Sequence, residues 1–315
     1  MNNKKNIYIV MEITRRELQG NLLLTLCALK NKFNVYISDR NTYRFLIKNN
    51  LINNGIIHTK SITHGKIKSQ FHKDLYDKKF LITAIDEEHG VLDNFDYIKN
   101  FATNRLSIKE LEKISAFFCW GEYDFGNLKK HFKNYKKIFY LTGSPRVDIW
   151  KNKINLKNND LIRNKFKNVD ILVCTNFAFA NNIETYKNLI KEQKKNGYYK
   201  RSPTLEEKNK KFYLYQKKSL PKFVELINYL ALKFPKKNIC IRPHPTENVN
   251  FWQNNINHRK NLMIDNSKPS SYWIKNCKIL IQNNCTTGSE GIISDKIVIN
   301  YSPLKDNGGF GRFME

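Results

Sequence analysis

No stretch of this chain approaches the roughly 18 consecutive apolar residues of a membrane-spanning helix. The N-terminus has only a five-residue apolar run, residues 7–11, before Glu12, which is too short for a secretory signal. The six cysteines, at 27, 119, 174, 240, 277 and 285, show no CxxC spacing and sit mostly in apolar runs. That pattern predicts buried free thiols in a reducing compartment, not a disulfide framework. The expected location is therefore the cytoplasm, with attachment to the inner face of the plasma membrane left open by the charge. Acidic residues are scarce: 28 Asp and Glu stand against 55 Lys and Arg, a formal charge of +27. Nucleic acid, an anionic membrane surface and anionic substrates are the three partner classes such a charge suggests. The lysines are spread along the chain and mixed with asparagine, so a plain compositional bias is a fourth reading. No clustered basic helix with interleaved aromatics is present, and no nucleic-acid partner is expected.

Several chemical signatures are missing as well. There is no GxGxxG after the first strand, no GxxxxGK[ST] and no GxSxG, so dinucleotide, P-loop and serine-hydrolase readings have little support. The histidines at 58, 64 and 72 are widely spaced and lack a Cys or acidic cluster, so no metal site is expected. No resident cofactor is implied either.

What is present is a folded globular chain of 315 residues, 41% hydrophobic and 13% aromatic, long enough for one large domain or two of about 150. Apolar runs at 6–11, 33–37, 55–58, 80–85, 116–120 and 137–142 read as strands. Residues 12–20 read as loop and helix start, 22–29 as a buried helix, and 42–50 and 106–113 as helices. The polar run to Lys79 reads as a helix with Phe71, Leu75 and Phe80 on its inner side. A Lys- and Asn-rich stretch, 151–169, is the expected linker between a lobe at 1–150 and a second at 170–315. In the second lobe 170–176, 239–242, 278–282 and 296–301 read as strands and 184–196 as a helix, with 205–233 a long helix or pair interrupted near Pro221. Strand–helix alternation implies parallel sheets and an α/β fold.

Ligands in such sheets bind at the carboxyl ends of strands. There the chain places Arg242-Pro243-His244-Pro245, where prolines stop the strand, and the small polar run from Asn284 through Thr286, Thr287 and Ser289 to Glu290. An arginine, a histidine, hydroxyls and a helix start suit a phosphate. Thr286, Thr287 and Ser289 serve equally as ordinary N-cap residues, and Glu290 as a cap or a ligand for a ribose diol. Thr175 and Asn176 end the strand at 170–176. In the first lobe Arg16 and Glu17 follow the first strand, Glu87 and Glu88 follow the strand at 80–85, and Arg146 follows Gly143-Ser144-Pro145. Arg146 is expected to reach a phosphate or carboxylate. The acidic run from Asp86 reads either as a solvated loop or as a catalytic or acceptor-binding element.

These stretches carry a resemblance. Arg242-Pro243-His244-Pro245, followed by Asn283-x-Cys285-Thr286-Thr287-x-x-Glu290, resembles bacterial surface carbohydrate biosynthesis proteins, a GT-B-type glycosyltransferase-like family. Also similar are Arg16-Glu17-Leu18-x-Gly20, Asp86-Glu87-Glu88, Trp120-Gly121-Glu122, Thr142-Gly143-Ser144-Pro145-Arg146-x-Asp148 and Thr175-Asn176-Phe177. Ser144, His89 and Gly291 depart from that pattern, where Asn, Gly and Ala are usual. The His-Pro and Thr/Ser-Glu elements are more distantly similar to Kdo transferases, sialyltransferases and CDP-glycerol glycerophosphotransferases. The resemblance implies a GT-B-like fold of two Rossmann-like lobes and transfer of a Kdo- or sialic-acid-like sugar from a CMP donor. The acceptor would be a cell-surface polysaccharide or a lipid-linked glycan. It further implies that His244 binds or protonates the CMP phosphate, that Arg242, Pro245, Thr175, Asn176, Asn284, Thr286, Thr287 and Ser289 surround the nucleotide, and that Glu290 approaches the ribose. Glu87 or Glu88 would be the catalytic carboxylate, with Arg16, Glu17 and Arg146 at the acceptor or a phosphate. The alternatives are a CDP-polyol phosphotransferase of teichoic-acid type and a non-catalytic basic protein that binds nucleic acid or glycan.

Overall fold

A computed structural model describes residues 5–87, 105–151, 168–195, 198–201, 205–283 and 285–304. The chain divides into two compact units, the first holding strands β1–β6 and the second β7–β11.

In the first unit β1 (Asn6–Val10), β2 (Asn34–Ser38), β3 (Ile56–Thr59), β4 (Leu81–Ile85), β5 (Ala116–Cys119) and β6 (Phe139–Leu141) form one sheet in the order β2-β1-β3-β4-β5-β6. Every pairing is parallel. Helix α1 (Thr14–Lys30) joins β1 to β2, and α2 (Arg40–Lys48) begins where the Asp39 carboxylate accepts the N–H groups of Asn41 and Thr42. Helix α3 (Lys66–Asp77) is tied to the short α4 (Ile108–Leu111) by a buried His72–Glu110 pair. Helix α5 (Glu122–His131) follows β5, and α6 (Pro145–Trp150) starts with proline at its first position, where a missing N–H costs nothing. Gly143, which leads into it, has φ of 81°, a left-handed conformation that glycine adopts without strain.

The second unit has β7 (Val169–Cys174), β8 (Ile239–Arg242), β9 (Leu262–Ile264), β10 (Cys277–Gln282) and β11 (Ile297–Asn300), all parallel, in the order β11-β10-β7-β8-β9. Alternate residues feed two cores. Ile171, Val173, Ile239 and Ile241 pack on one face with Phe223, Ile227 and Trp252, whereas Leu172, Cys174, Cys240 and Leu280 pack on the other with Trp273. A sheet covered on both faces needs strands that are apolar throughout, which is why these segments read as continuous hydrophobic runs. The helices are α7 (Tyr186–Lys195), α8 (Leu205–Lys233), α9 (Val249–Asn255), α10 (Ser270–Lys275) and α11 (Thr287–Ile293).

Several sequence expectations are corrected. Helix α1 begins at Thr14, so Arg16 and Glu17 lie in its first turn, and Leu22, Leu26 and Leu29 form an exposed row on it, not part of a buried helix. Spacings of four and three put those leucines on one face, away from the face that packs on the sheet. Pro221 does not interrupt α8, which runs 29 residues without a break. Its neighbours Leu220, Phe223 and Ile227 are buried in the core, and that packing outweighs the one lost backbone hydrogen bond. The helix expected at 106–113 shrinks to Ile108–Leu111, and β6 is short because Lys133–Ile138 is a 3-10 helix. Strand β9 and helices α9 and α10 had no clear sequence signal. The greater part of the expected linker lies outside the described residues, and its last residue, Val169, opens β7.

Gly291 explains one departure from the family pattern. A Cβ there would lie 2.7 Å from methyl carbons of both Leu280 and Val298. Gly291→Ala is expected to lower stability by about 1–3 kcal/mol through overpacking. Urea denaturation measures this directly, and an unchanged midpoint would show that the two side chains move aside at no cost.

Candidate functional site

In the second unit the chain leaves β7 for β8 and β9, then returns to the opposite side of β7 for β10 and β11. The reversal between β7 and β10 is a topological switch point, where an open sheet forms a crevice at its carboxyl edge. Thr175 and Asn176 leave β7 there, Asn283 to Thr287 leave β10, and Arg242 to Pro245 leave the adjacent β8.

These loops are held by three buried polar side chains. The Asn176 N–H donates to Asn283 Oδ1 at 2.8 Å, and Asn283 Nδ2 donates back to the Asn176 carbonyl at 3.3 Å. Gln216 of α8 accepts from the N–H groups of Phe179 and Ala180 at 2.9 and 3.1 Å and donates to the Asn176 carbonyl at 2.8 Å. Glu247, 1% exposed, accepts five hydrogen bonds. The Thr175 hydroxyl (2.9 Å), the N–H groups of Phe177 and His244 (both 3.0 Å), Asn181 Nδ2 (3.2 Å) and Trp252 Nε1 (3.0 Å) all point at its carboxylate. Burial pushes this carboxyl up while the donors pull the other way. Neither Glu247 nor Gln216 was singled out in the sequence. The one available signal was an acidic residue just after a double-proline strand end, where backbone donors lack strand partners.

The frame presents two groups. His244 Nδ1 lies 2.8 Å from the Thr246 hydroxyl and accepts from the Thr246 N–H at 3.3 Å. In the neutral ring the proton therefore belongs on Nε2, which makes that nitrogen a donor. Arg242 is 7% exposed, and no carboxylate pairs with it among the described residues; its Nε lacks a hydrogen-bond partner. The hydroxyl of Thr287, also buried, has none either. A buried guanidinium without a counter-charge is costly, and an anion would relieve it.

Thr286 is half-buried at the start of α11, Ser289 is buried within its first turn, and Pro245 is exposed. Glu290 is turned inward and accepts from the Ser270 hydroxyl at 2.9 Å, which ties α11 to α10. Asn284 lies outside the described residues.

In the first unit the sheet reverses between β1 and β3, and charged groups fill that edge. Glu17 is buried, and its carboxylate reaches back to the N–H groups of Glu12 and Ile13 at 2.8 and 3.2 Å. Lys60, after β3, lies 3.2 Å from Glu17 and 2.9 Å from Glu12, and Arg16 lies 3.6 Å from Glu17. Arg146 is buried, donates to the main-chain carbonyl of Glu87 at 2.6 Å and stacks over Trp150. Asp86 is held by two bonds from Arg105, at 2.6 and 2.9 Å. Glu87 is 7% exposed and its Oε2 has no hydrogen-bond partner among the described residues. Burial pushes its carboxyl up to about 7; Glu17 and Asp86 push the same way, and Arg146 and Arg16 oppose them. A carboxyl poised there both gives and takes a proton near neutral pH. Arg16, Glu17, Glu87 and Arg146 are thus brought together, with the two arginines and Glu17 engaged inside the protein. Glu88 lies outside the described residues.

No protein-family model matches the chain, and no curated protein matches it by sequence. Solved structures do resemble it in fold. An S. aureus MnaA–UDP co-structure superposes with a TM-score of 0.57 at 10% identity, covering 94% of this chain and 78% of the other. UDP-GlcNAc 2-epimerase from Neisseria meningitidis, bound to UDP-GlcNAc, gives 0.52 at 13% identity over 94% and 82%. A variant of the wall teichoic acid polymerase TagF gives 0.53 at 11% identity over 94% and 69%. The fold is that of GT-B-type enzymes, with two Rossmann-like lobes built on parallel sheets.

Folded Glu87 keeps its proton up to about 7, whereas the unfolded side chain ionises around 4.5. The folded state therefore binds more protons across that window, and stability falls as pH rises through it. Glu87→Gln removes this term. The variant is expected to match the parent at pH 4 and to exceed it by roughly 2–3 kcal/mol at pH 8. Denaturant unfolding at the two pH values tests this; a difference that does not change with pH would contradict the assignment.

Proposed function

We propose that this protein is a nucleotide-sugar-dependent glycosyltransferase that moves a Kdo- or sialic-acid-like sugar from a CMP donor to a cell-surface polysaccharide or lipid-linked acceptor. The observation that carries the reading is the buried Arg242, without a carboxylate partner, beside the carboxyl edge of a switch point. A nucleotide phosphate supplies the missing charge. His244 donates from Nε2 to a phosphate oxygen, and Thr287, Thr286 and Ser289 supply hydroxyls. These donors stabilise charge as the phosphate leaves. Thr175 and Asn176 belong to the wall that Glu247 and Gln216 hold in place, with Pro245 at its edge. Glu290 orders that wall through Ser270. Proton transfer to or from the reacting sugar falls to Glu87, in keeping with its raised pKa. Arg16, Glu17 and Arg146 set the field around it.

The cytidine preference is supported by the Arg-Pro-His-Pro and Thr-Thr-x-x-Glu elements. The first-unit charges and the excess of lysine suit an anionic acceptor or an anionic membrane surface. Among the described residues no helix is long and apolar enough to cross a membrane. A second reading is favoured by the UDP-containing neighbours: a uridine-nucleotide sugar as substrate, for transfer or epimerisation. The likeness to TagF favours a third, transfer of a polyol phosphate from a CDP donor.

Thermal unfolding against CMP, CDP, UDP, GDP and ADP separates them, because a ligand bound only by the folded state stabilises it by RT ln(1 + [L]/Kd). At 100 times Kd the gain is about 2.7 kcal/mol. CMP is expected to give the largest shift. A larger shift with UDP would move the assignment to the second reading, and one with CDP to the third. His244→Ala is expected to abolish transfer from a CMP-sugar and leave the melting temperature of the free protein unchanged; full activity would remove His244 from the site.

A further inference from the structure

The first unit contains a cavity of about 650 Å³ that the transfer reading leaves unused. Its wall is apolar: Leu23 and Leu24 of α1, Ile85 of β4, Phe118 of β5 and Pro145 at the start of α6. Two buried polar groups interrupt that wall. Ser144 is 2% exposed and its hydroxyl has no hydrogen-bond partner among the described residues. His58, also buried, stacks on Phe118 with ring centroids 5.9 Å apart, and its Nδ1 lies 3.0 Å from the Thr83 hydroxyl. Burial pushes the ring down to about 4, so it is neutral at physiological pH. The charged lining residues, Asp148 and Lys151, pair with each other at 3.3 Å and are half exposed, which neutralises the mouth.

We infer that this cavity binds an uncharged aliphatic group that carries a hydroxyl or ether oxygen, the oxygen meeting Ser144 and His58 and the chain lying against Leu23, Leu24, Ile85 and Phe118. The size falls within the range of small-molecule pockets, roughly 300–1,000 Å³. An apolar chain gains about 25 cal/mol for each Å² it removes from water. A charged group would lose its hydration with no counter-charge inside. A free sugar would leave most of its hydroxyls facing carbon. An alkyl glycoside meets both demands, with its glycosidic oxygen at the polar pair. In calling this occupant the aglycone of the acceptor, the inference rests on the transferase reading; the binding itself does not.

Cys27 also lines the cavity and is exposed, whereas Cys119, Cys174, Cys240 and Cys277 are buried. Its rate of alkylation by iodoacetamide, followed by peptide mass mapping, therefore reports occupancy. Octyl glucoside below its micellar concentration is expected to slow labelling of Cys27 at least fivefold and saturably. Glucose and octanoate at the same concentration are expected to change it less than twofold. Leu24→Trp, which fills the cavity, is expected to remove the protection, and Ser144→Ala to weaken it. No protection by octyl glucoside would overturn the inference, as would equal protection in Leu24→Trp. Equal protection by octanoate would overturn the requirement for an uncharged ligand. A cooperative thermal transition shows that each variant is folded, and nucleotide-induced stabilisation, measured on the same preparations, reads the transferase assignment separately. Protection without a nucleotide shift leaves a lipid-binding cavity and removes the acceptor role.

Discussion

The second unit depends on one buried carboxylate. Glu247 gathers donors from the loop after β7, from the strand end at His244 and from Trp252 in the core. A carboxylate this deep is tolerated only because five donors surround it. Its geometry therefore fixes two loops at once. His244 can present Nε2 in a constant direction because its own N–H is anchored to Glu247 and its Nδ1 to Thr246. Gln216 and Asn283 complete the frame from α8 and from the end of β10, which brings three separate parts of the chain to one crevice.

Both units apply the same topological rule with different chemistry at the switch point. At the first, opposite charges satisfy one another: Lys60 lies between Glu12 and Glu17, and Arg105 clamps Asp86. At the second, the buried carboxylates Glu247 and Glu290 accept from donors of the protein, and Arg242 has no carboxylate partner among the described residues. The first arrangement sets a proton affinity, that of Glu87. The second is where the proposed function puts the phosphate.

Much of this was legible in the sequence. Strands such as β7 and β10 carry uninterrupted Ile, Leu and Val runs, residues 171–173 and 279–281, because both their faces are covered, and the motif residues follow directly from where those runs end. The resemblance anticipated the GT-B-like fold. What the sequence withheld are the interactions between distant parts of the chain. Glu247 and Asn181 are 66 residues apart, and Gln216 and Asn176 are 40 apart. No local period marks them. Local rules also misplaced the break at Pro221, where core packing overrides proline, and treated the leucines of α1 as buried although one row faces outward. Arg146, read as a candidate ligand contact, and Glu290, read as a helix cap or a ribose ligand, also bond within the protein; their partners, the Glu87 carbonyl and the Ser270 hydroxyl, could be found only in three dimensions.

Under the proposed function Arg242 pairs with the phosphate of a nucleotide. Calorimetric titration with CMP and with cytidine, on the parent protein and on Arg242→Met, tests it most directly. CMP is expected to bind the parent at least tenfold more tightly than cytidine, a difference of about 1.4 kcal/mol, and the preference is expected to disappear in the variant. Equal affinity for CMP and cytidine in the parent, or an undiminished preference in Arg242→Met, would contradict it.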